Sequence, residues 1–427
     1  MKTSRFNVYR HHGARTGIFN TLSGRWAWFA PATARSLERG TLRGVMPGDL
    51  RRALSLGALV ADDVDEHERF GTLYRRLSRD TGSLGVVCVL TYACNLRCPY
   101  CFEDGVERRT ARLDGELVER VIGAIRAKCE REKTGRLALM LFGGEPLLQP
   151  AACRRLLGEL HAWCAASGRT FTGSISTNGT LVTRARLRDL APHLDVAQVT
   201  FDGPREVHDT LRVPPDGRGT YDRILAAIRL LLEHEVAVSV RIQASATNAA
   251  RLPELARDLR DQGLLGHPRV RFSVAVLQEF SCRSCGAAEG AVEPGTELYA
   301  QLLGSAPELL PPPTPAVQIL PCMMSGNHLC IGPDGRLYKC ITEVGRPGCA
   351  VGRVDEAGRF AFDAGHDAFM SRDPLQFEQC RTCAHLPLCG GGCPAIARSA
   401  TGSWLHPVCD GREVLDARID NAMRSRP

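Results

Sequence analysis

The chain lacks any run of about 18 uninterrupted apolar residues, the length a membrane-crossing helix needs. Its start, MKTSRFNVYRHHGARTG, also lacks the apolar stretch and small-residue cleavage site of a secretory signal. A cytoplasmic protein with no membrane partner is therefore expected. Neither sign of charge dominates: 54 Lys and Arg stand against 47 Asp and Glu, a net +7. The basic residues are nearly all Arg and are spread along the whole chain, which fits a compositional bias better than a nucleic-acid groove. No internal repeat of fixed period is evident. With 427 residues, 44% apolar and 24% charged, the chain is too long for one core and two or three folding units are expected. A peptide hormone, a lone binding module and global disorder are excluded. Cysteine is the outlier, with 18 residues in a chain too large to need disulfide staples. In a reducing compartment, clustered cysteines more often bind metal than pair with each other.

Residues 1–80 read as two short strands, FNVYR and GIFNTLSGRWAWF, joined by a turn at Gly13 to Gly17, then helices around PATARSLERG and PGDLRRALSLGALV. A small sheet with helices resembles a winged-helix module. From 84 to 277 the pattern is regular. Apolar β-prone runs at 84–90, 137–142, 171–176, 196–201, 238–244 and 270–277 alternate with helical stretches such as GELVERVIGAIRAKCE and YDRILAAIRLLLEH. This implies parallel β/α units, in a sheet either open or curled into a partial barrel. Ligands of such sheets bind at the carboxyl ends of the strands. Residues 278–321, with the PPPTP run, form a linker, residues 322–409 a loop-rich block holding nine cysteines, and 410–427 a tail.

After the first of these strands comes TYACNLRCPYCFE, with Cys94, Cys98 and Cys101 spaced Cys-x3-Cys-x2-Cys. Three thiolates on one short loop can hold three irons of a 4Fe-4S cubane and leave the fourth open to a bidentate small ligand. The bland alternative is a zinc knuckle. LFGGEP follows the second strand, SISTNGTL the third and TFDGPREVHDTLR the fourth. Together these motifs resemble the radical S-adenosylmethionine (SAM) superfamily over residues 84–277. The resemblance implies an α/β fold: a partial (β/α)6 TIM-like barrel with an N-terminal winged-helix-like module and a C-terminal loop-rich Fe-S domain. It also implies that Cys94, Cys98 and Cys101 are the catalytic cluster ligands. Tyr100, Gly143, Gly144, Glu145, Pro146, Ser176, Asn178, Asp202 and Arg241 would face S-adenosylmethionine. Glu145 would attract the methionine ammonium, while Ser176 and Asn178 suit ribose or carboxylate. The roles of His208 and Arg212 are open, and Arg241 is equally readable as a structural pairing partner. In this family an electron from the reduced cluster cleaves S-adenosylmethionine, and the resulting 5′-deoxyadenosyl radical takes a hydrogen atom from the substrate.

The C-terminal block runs Cys322-x17-Cys340, then Cys380-x2-Cys383-x5-Cys389-x3-Cys393, then Cys409. This order is similar to the seven-cysteine SPASM extension of peptide- and protein-modifying radical enzymes. By that resemblance Cys322, Cys340 and Cys393 hold a first auxiliary 4Fe-4S cluster, with Cys330 as its fourth ligand, and Cys380, Cys383, Cys389 and Cys409 hold a second. Should Cys330 not ligate, one iron stays open to a substrate thiolate. Structural zinc is the alternative. Cys282, Cys285 and Cys349 are unassigned; Cys88, Cys129, Cys153 and Cys164 read as small core residues.

The function implied is a maturase installing a thioether or carbon-carbon crosslink in a ribosomal precursor peptide, whose leader docks on residues 1–80. An external donor such as flavodoxin or ferredoxin would supply electrons. The nearest rival acts on a partner protein, as sulfatase and quinone-cofactor maturases do. Sulfatase maturases place an Asp after the cysteine equivalent to Cys340, where this chain has Ile341. From another class, a non-catalytic Fe-S electron-transfer protein remains open.

Overall fold

The computed structural model describes residues 1–103, 110–276, 301–302, 304–310, 319–409 and 412–424. Most of the expected linker, with Cys282 and Cys285, lies outside the described residues. The chain divides into two compact units. One is built from Met1–Arg79, Pro312–Ser325 and Ser371–Pro427, the other from Asp80–Pro311 and Gly326–Met370.

The first unit opens with β1 (Lys2–Thr3), β2 (Asn7–His12), β3 (Arg15–Asn20), β4 (Arg25–Phe29), α1 (Pro31–Glu38), α2 (Pro47–Leu56), β5 (Leu59–Val60) and α3 (Glu66–Ser78). The long strand expected over GIFNTLSGRWAWF is instead two strands. Gly24, at φ +70°, turns the chain and closes its N–H onto the Asn20 carbonyl at 2.9 Å. Such a left-handed turn is a glycine conformation. Strands β2, β3 and β4 form an antiparallel sheet in that order. One face packs Ile18 and Phe29 against Ala34 and Leu37 of α1 and Ala53 and Leu56 of α2. The other face, Val8 and Phe19 with Trp26 and Trp28, is covered by Leu388, Ile419 and Met423. The N-terminal block and the C-terminal segment therefore share one core.

The second unit carries β6 (Ser83–Val89), α4 (Gly115–Arg131), β7 (Arg136–Phe142), α5 (Pro150–Ala166), β8 (Thr170–Ser176), α6 (Arg184–Leu190), β9 (Val196–Phe201), α7 (Arg205–Leu211), α8 (Tyr221–Glu233), β10 (Ala237–Ala244), α9 (Leu252–Asp261) and β11 (Val270–Val276). The six strands pair in parallel in chain order. The sheet continues past β6 through β12 (His328–Ile331), parallel to β6, and the antiparallel β13 (Arg336–Tyr338), β14 (Gly352–Val354) and β15 (Phe360–Phe362). Helix α10 (Ala364–Met370) follows. Cys88, Cys129, Cys153 and Cys164 are fully buried in this core.

Strands packed on both faces read as continuous apolar runs, whereas β9 and β10 alternate. Ala197, Val199, Phe201, Val238, Val240 and Ile242 are buried. Gln198, Thr200, Ser239, Arg241 and Gln243, on the opposite face, keep solvent access. In register, Ser176 stands beside Gln198, which stands beside Ser239; Thr200, Arg241 and Ser273 form a second polar row. One face of β9 and β10 is thus polar and, among the described residues, keeps solvent access.

The rest of the first unit is short helices α11 (Glu378–Arg381), α12 (Leu386–Cys389) and α13 (Pro394–Thr401), with α14 (Arg412–Arg424) closing the chain. Among the described residues no helix is long and apolar enough to cross a membrane.

Candidate active site

The loop that carries the first three cysteines leaves β6 and is held by the segment that leaves β7. Gly144 N–H donates to the Thr91 carbonyl and Glu145 N–H to the Ala93 carbonyl, both at 2.9 Å. Only glycines permit this approach. A Cβ on Gly143, whose φ is +147°, would sit 2.5 Å from Thr91 O, and one on Gly144 would sit 2.4 Å from Ala93 O. The two glycines thus admit the cysteine loop itself. Farther along, Arg97 N–H reaches the Val213 carbonyl at 2.8 Å and Cys101 N–H closes a turn onto Cys98 O.

Glu145 has no solvent exposure. Its carboxylate accepts from Leu147 N–H at 3.0 Å, the Thr177 hydroxyl at 2.8 Å and Asn178 N–H at 2.8 Å, tying the end of β7 to the end of β8. Asn178 Nδ2 donates to Asn95 Oδ1 at 2.9 Å and lies 3.7 Å from Cys94 Sγ, while Leu96 N–H lies 3.4 Å from the same sulfur. Asn95 in turn donates to the Thr180 hydroxyl at 2.8 Å. On the far side of the loop, Asp202 is wholly buried and accepts from Arg212 Nε at 2.8 Å and from the Tyr100 hydroxyl. His208 Nδ1 accepts the Asp202 N–H at 3.3 Å, which leaves Nε2 to pair with the Thr220 hydroxyl at 3.2 Å.

Burial above all, with Glu145 and Cys101 adding repulsion, pushes the Cys94 thiol up to about 11. Burial likewise pushes Cys98 up to about 12, against an opposing pull from Arg212. Cys98 feels both Cys94 and Cys101, so the three sulfurs converge. Cys94 is exposed and Cys98 and Cys101 are half-buried; three mutually repelling thiols on one short loop ionise together when cations sit among them, which fits an iron cluster.

A family model described as the Radical SAM superfamily matches residues 88–244, from within β6 to the end of β10. Residues 88–244 form a radical SAM domain. The serine-type anaerobic sulfatase-maturating enzyme of Klebsiella aerogenes is 28% identical over 335 residues, which is 73% of this chain and 80% of that one. Among solved structures, anSMEcpe with bound AdoMet is similar in fold at a TM-score of 0.62 and 18% identity, over 81% of this chain and 96% of that one. Streptococcus suis SuiB bound to precursor peptide SuiA is similar at 0.51 and 14%, over 95% of this chain and 98% of that one. The domain over residues 88–244 is therefore that of a radical SAM enzyme, whose cofactors are a 4Fe-4S cluster and S-adenosylmethionine. The zinc-knuckle and non-catalytic readings are set aside.

Within this radical SAM domain the residues expected to face S-adenosylmethionine fall into two groups. Glu145, Asn178, Asp202 and Tyr100 are spent on the loop framework just described, and Pro146 is buried at the start of the turn that Glu145 caps. Ser176 and Arg241 are different. Neither side chain has a hydrogen bond or ion pair among the described residues, and both belong to the polar face. Burial, and Arg212 beside it, hold the Arg241 pKa below its ordinary value. An accessible yet partly desolvated guanidinium suits a wide cleft awaiting an anion. Asn95, Thr177 and Thr180 also belong to this framework, and their mark in the sequence is only a small polar type after a strand end.

The C-terminal cysteines lie in both units. Cys322, Cys380, Cys383, Cys389, Cys393 and Cys409 belong to the first, Cys330, Cys340 and Cys349 to the second. Cys322 and Cys393 are near enough to interact. Cys380, Cys383, Cys389 and Cys409 line one cavity of about 530 Å³, together with Arg10, His385 and Asp416. Burial first, then the other three sulfurs, pushes Cys380 up to about 12. Donors surround the rest: the Cys389 sulfur receives the N–H groups of Gly391 and Gly392, and Gln379 Nε2 lies 3.4 Å from Cys409 Sγ. Gly390, Gly391 and Gly392 all have positive φ, and a Cβ on Gly392 would lie 2.0 Å from Val408 O. That triplet, invisible to cysteine counting, wraps the chain around Cys389. Among the described residues no three His, Cys, Asp or Glu side chains are gathered at single-ion spacing. Four thiols spread around a cavity with N–H donors on their sulfurs fit a cubane.

Proposed function

We propose that this radical SAM enzyme is a maturase of ribosomally made precursor peptides and installs an intramolecular thioether or carbon-carbon crosslink. The observation that carries this reading is the N-terminal sheet. Strand β4, RWAWF, is an edge of a three-stranded sheet, and an edge offers unpaired N–H and C=O groups to which an extended leader can add as a strand. Further support comes from the extent of the fold likeness, 95% of this chain for SuiB with its precursor peptide against 81% for anSMEcpe.

When bound, the cluster and S-adenosylmethionine supply a 5′-deoxyadenosyl radical able to take hydrogen from an unactivated C–H bond. The chain's own residues bind, orient and shield. Cys94, Cys98 and Cys101 would hold this cluster. Ser176 and Arg241, with no side-chain hydrogen bond or ion pair among the described residues, would receive the ribose and carboxylate. Gly143, Gly144, Glu145 and Pro146 shape the amino-group end, while Tyr100, Asn178 and Asp202 keep the cysteine loop in place. Cys380, Cys383, Cys389 and Cys409 would hold an auxiliary cluster, Cys322 and Cys393 would be ligands of another, and an external donor of the flavodoxin or ferredoxin kind would supply their electrons.

A second reading, oxidation of Ser or Cys in a partner sulfatase, is favoured by the 28% identity to the Klebsiella enzyme. Against it stands Ile341, an aliphatic residue with no proton-accepting group. The test gives anaerobically reconstituted enzyme, dithionite and S-adenosylmethionine a Cys- or aromatic-containing peptide encoded beside it. Formation of 5′-deoxyadenosine with loss of two hydrogens and linked fragment ions supports crosslinking. Hydrazide-reactive aldehyde on a sulfatase-derived serine peptide, with the neighbouring peptide untouched, would overturn it in favour of the second reading.

A further inference from the structure

Basic residues are spread along the chain, but acidic ones are not. Residues 1–60 carry ten Lys and Arg against two acids, Glu38 and Asp49, a net +8 where the whole chain has +7. Asp49 is turned toward α1, where it accepts the Thr33 hydroxyl at 3.0 Å. Three of the arginines stand beside the open edge of β4. From α2, Arg52 Nη1 donates to the Trp28 carbonyl at 3.2 Å, and from β4, Arg25 Nη1 donates to the Ser55 carbonyl at 2.9 Å. Arg51 follows on α2, one turn from Ser55. All three are exposed, and none has an ion pair among the described residues. The register explains the Trp28 contact. His12 pairs with Arg15 across a two-residue turn, so Gly17 and Phe19 turn their N–H and C=O groups to β2. Trp28 and Trp26, opposite them, turn theirs to the open edge.

We infer that the peptide strand added at β4 is acidic, and that its carboxylates pair with Arg25, Arg51 and Arg52. This rests on the reading that the sheet edge receives the leader. An extended peptide that pairs with Trp28 takes the carbonyl that Arg52 now fills, and the released guanidinium needs a new acceptor. A carboxylate is the acceptor that a guanidinium binds best, through two parallel N–H···O bonds. The cleft between β4 and α2 has a strand edge for one wall and cations on the other. A polypeptide with Asp or Glu side chains satisfies both. A nucleic acid satisfies only the cations: its phosphates accept but do not donate, and leave the Trp26 and Trp28 carbonyls unpaired. The charge of the block also draws an acidic segment to this edge rather than elsewhere, because the remaining residues sum to −1.

The test uses the full-length enzyme and the precursor peptide encoded beside it, labelled with fluorescein and followed by anisotropy. Hydrogen exchange read by mass spectrometry locates the complex, and the peptide should protect the amides of residues 25–29. Replacing the leader's Asp and Glu by Asn and Gln should weaken Kd about tenfold, as should Arg25→Gln/Arg51→Gln/Arg52→Gln in the enzyme. Combined, the two changes should cost no more than either alone. Arg51→Glu/Arg52→Glu should reject the native peptide and recover binding to one whose leader Asp and Glu are replaced by Lys. If an enzyme variant loses its melting transition, the neutralised peptide on the wild-type enzyme decides. Unchanged affinity with residues 25–29 still protected would overturn the proposal and leave the leader reading intact. No protection of residues 25–29 would overturn the leader reading, and the proposal with it. A single-stranded RNA probe that binds as tightly as the peptide, and is lost in the same variants, would overturn the proposal in favour of a nucleic-acid groove.

Discussion

At Gly144 one added methyl group meets the Ala93 carbonyl oxygen at 2.4 Å, and the atom in the way is backbone, which cannot swing aside. Gly144→Ala should therefore push the cysteine loop away from the β7 end, at a cost of about 1–3 kcal/mol. The expected outcome is a lower melting temperature and loss of 5′-deoxyadenosine formation, with iron in the auxiliary sites retained. His208 makes a different prediction. Burial, with a smaller contribution from Arg212 and against the pull of Asp202, drives its pKa down from 6.5 to about 4. Between those values the unfolded chain binds a proton that the folded protein refuses, so stability is full above pH 6.5 and falls as pH drops toward 4. The total is about 3 kcal/mol. Urea midpoints measured at pH 4.5 and 7 should show it, and His208→Gln, which keeps an acceptor for the Asp202 N–H, should flatten that part of the slope.

Among the elements, the strands and helices of the second unit were legible because apolar residues recur there with periods of 2 and 3.6. Helix α7 was not, since REVHDTL offers only Val207 and Leu211 and buries only His208. The split of residues 17–29 into β3 and β4 was hidden because Leu22 and the flanking β-formers mask a turn that Gly24 makes. In the cysteine-rich segment, spacing gave the thiols but not their scaffold. That scaffold is Arg372, a wholly buried guanidinium that donates to the carbonyls of Trp404 at 2.8 Å, Gly390 at 3.3 Å, Gly391 at 2.7 Å and His406 at 3.0 Å. Nothing about a single Arg among 54 basic residues marks it. Arg372→Leu strands four carbonyls at about 1–3 kcal/mol for each one that finds no water. The variant should melt at markedly lower temperature and lose iron from the Cys380–Cys409 site on desalting, while the radical SAM loop still reconstitutes.

For the whole molecule, chain order and spatial order differ. Residues 1–79 and 371–427 form one unit, and no local pattern could reveal that, because what joins them is a cluster that gathers Val8 and Phe19 with Leu388, Ile419 and Met423, and the hydrogen bond of the Thr21 hydroxyl to the Ala384 carbonyl. It follows that the sheet expected to read the peptide is not an independent module. One of its faces is completed by Leu388, next to Cys389, and by α14. Small metal-dependent segments draw folding energy from their metal, so stripping the clusters should loosen Cys380–Cys393 and, through the shared core, β2 to β4 as well. Hydrogen exchange read by mass spectrometry on holo and chelator-stripped protein should show peptides covering 7–29 and 380–393 losing protection together. Those covering β7 to β9, in the other unit, should change little. A fragment of residues 1–80 should likewise fail to give a cooperative melt, since Val8, Phe19, Trp26 and Trp28 would face water. Full protection of residues 7–29 in the stripped protein, or a cooperative transition in the fragment, would mean that the sheet folds on helices α1 and α2 alone. In that case peptide binding would be separable from the redox centre behind it.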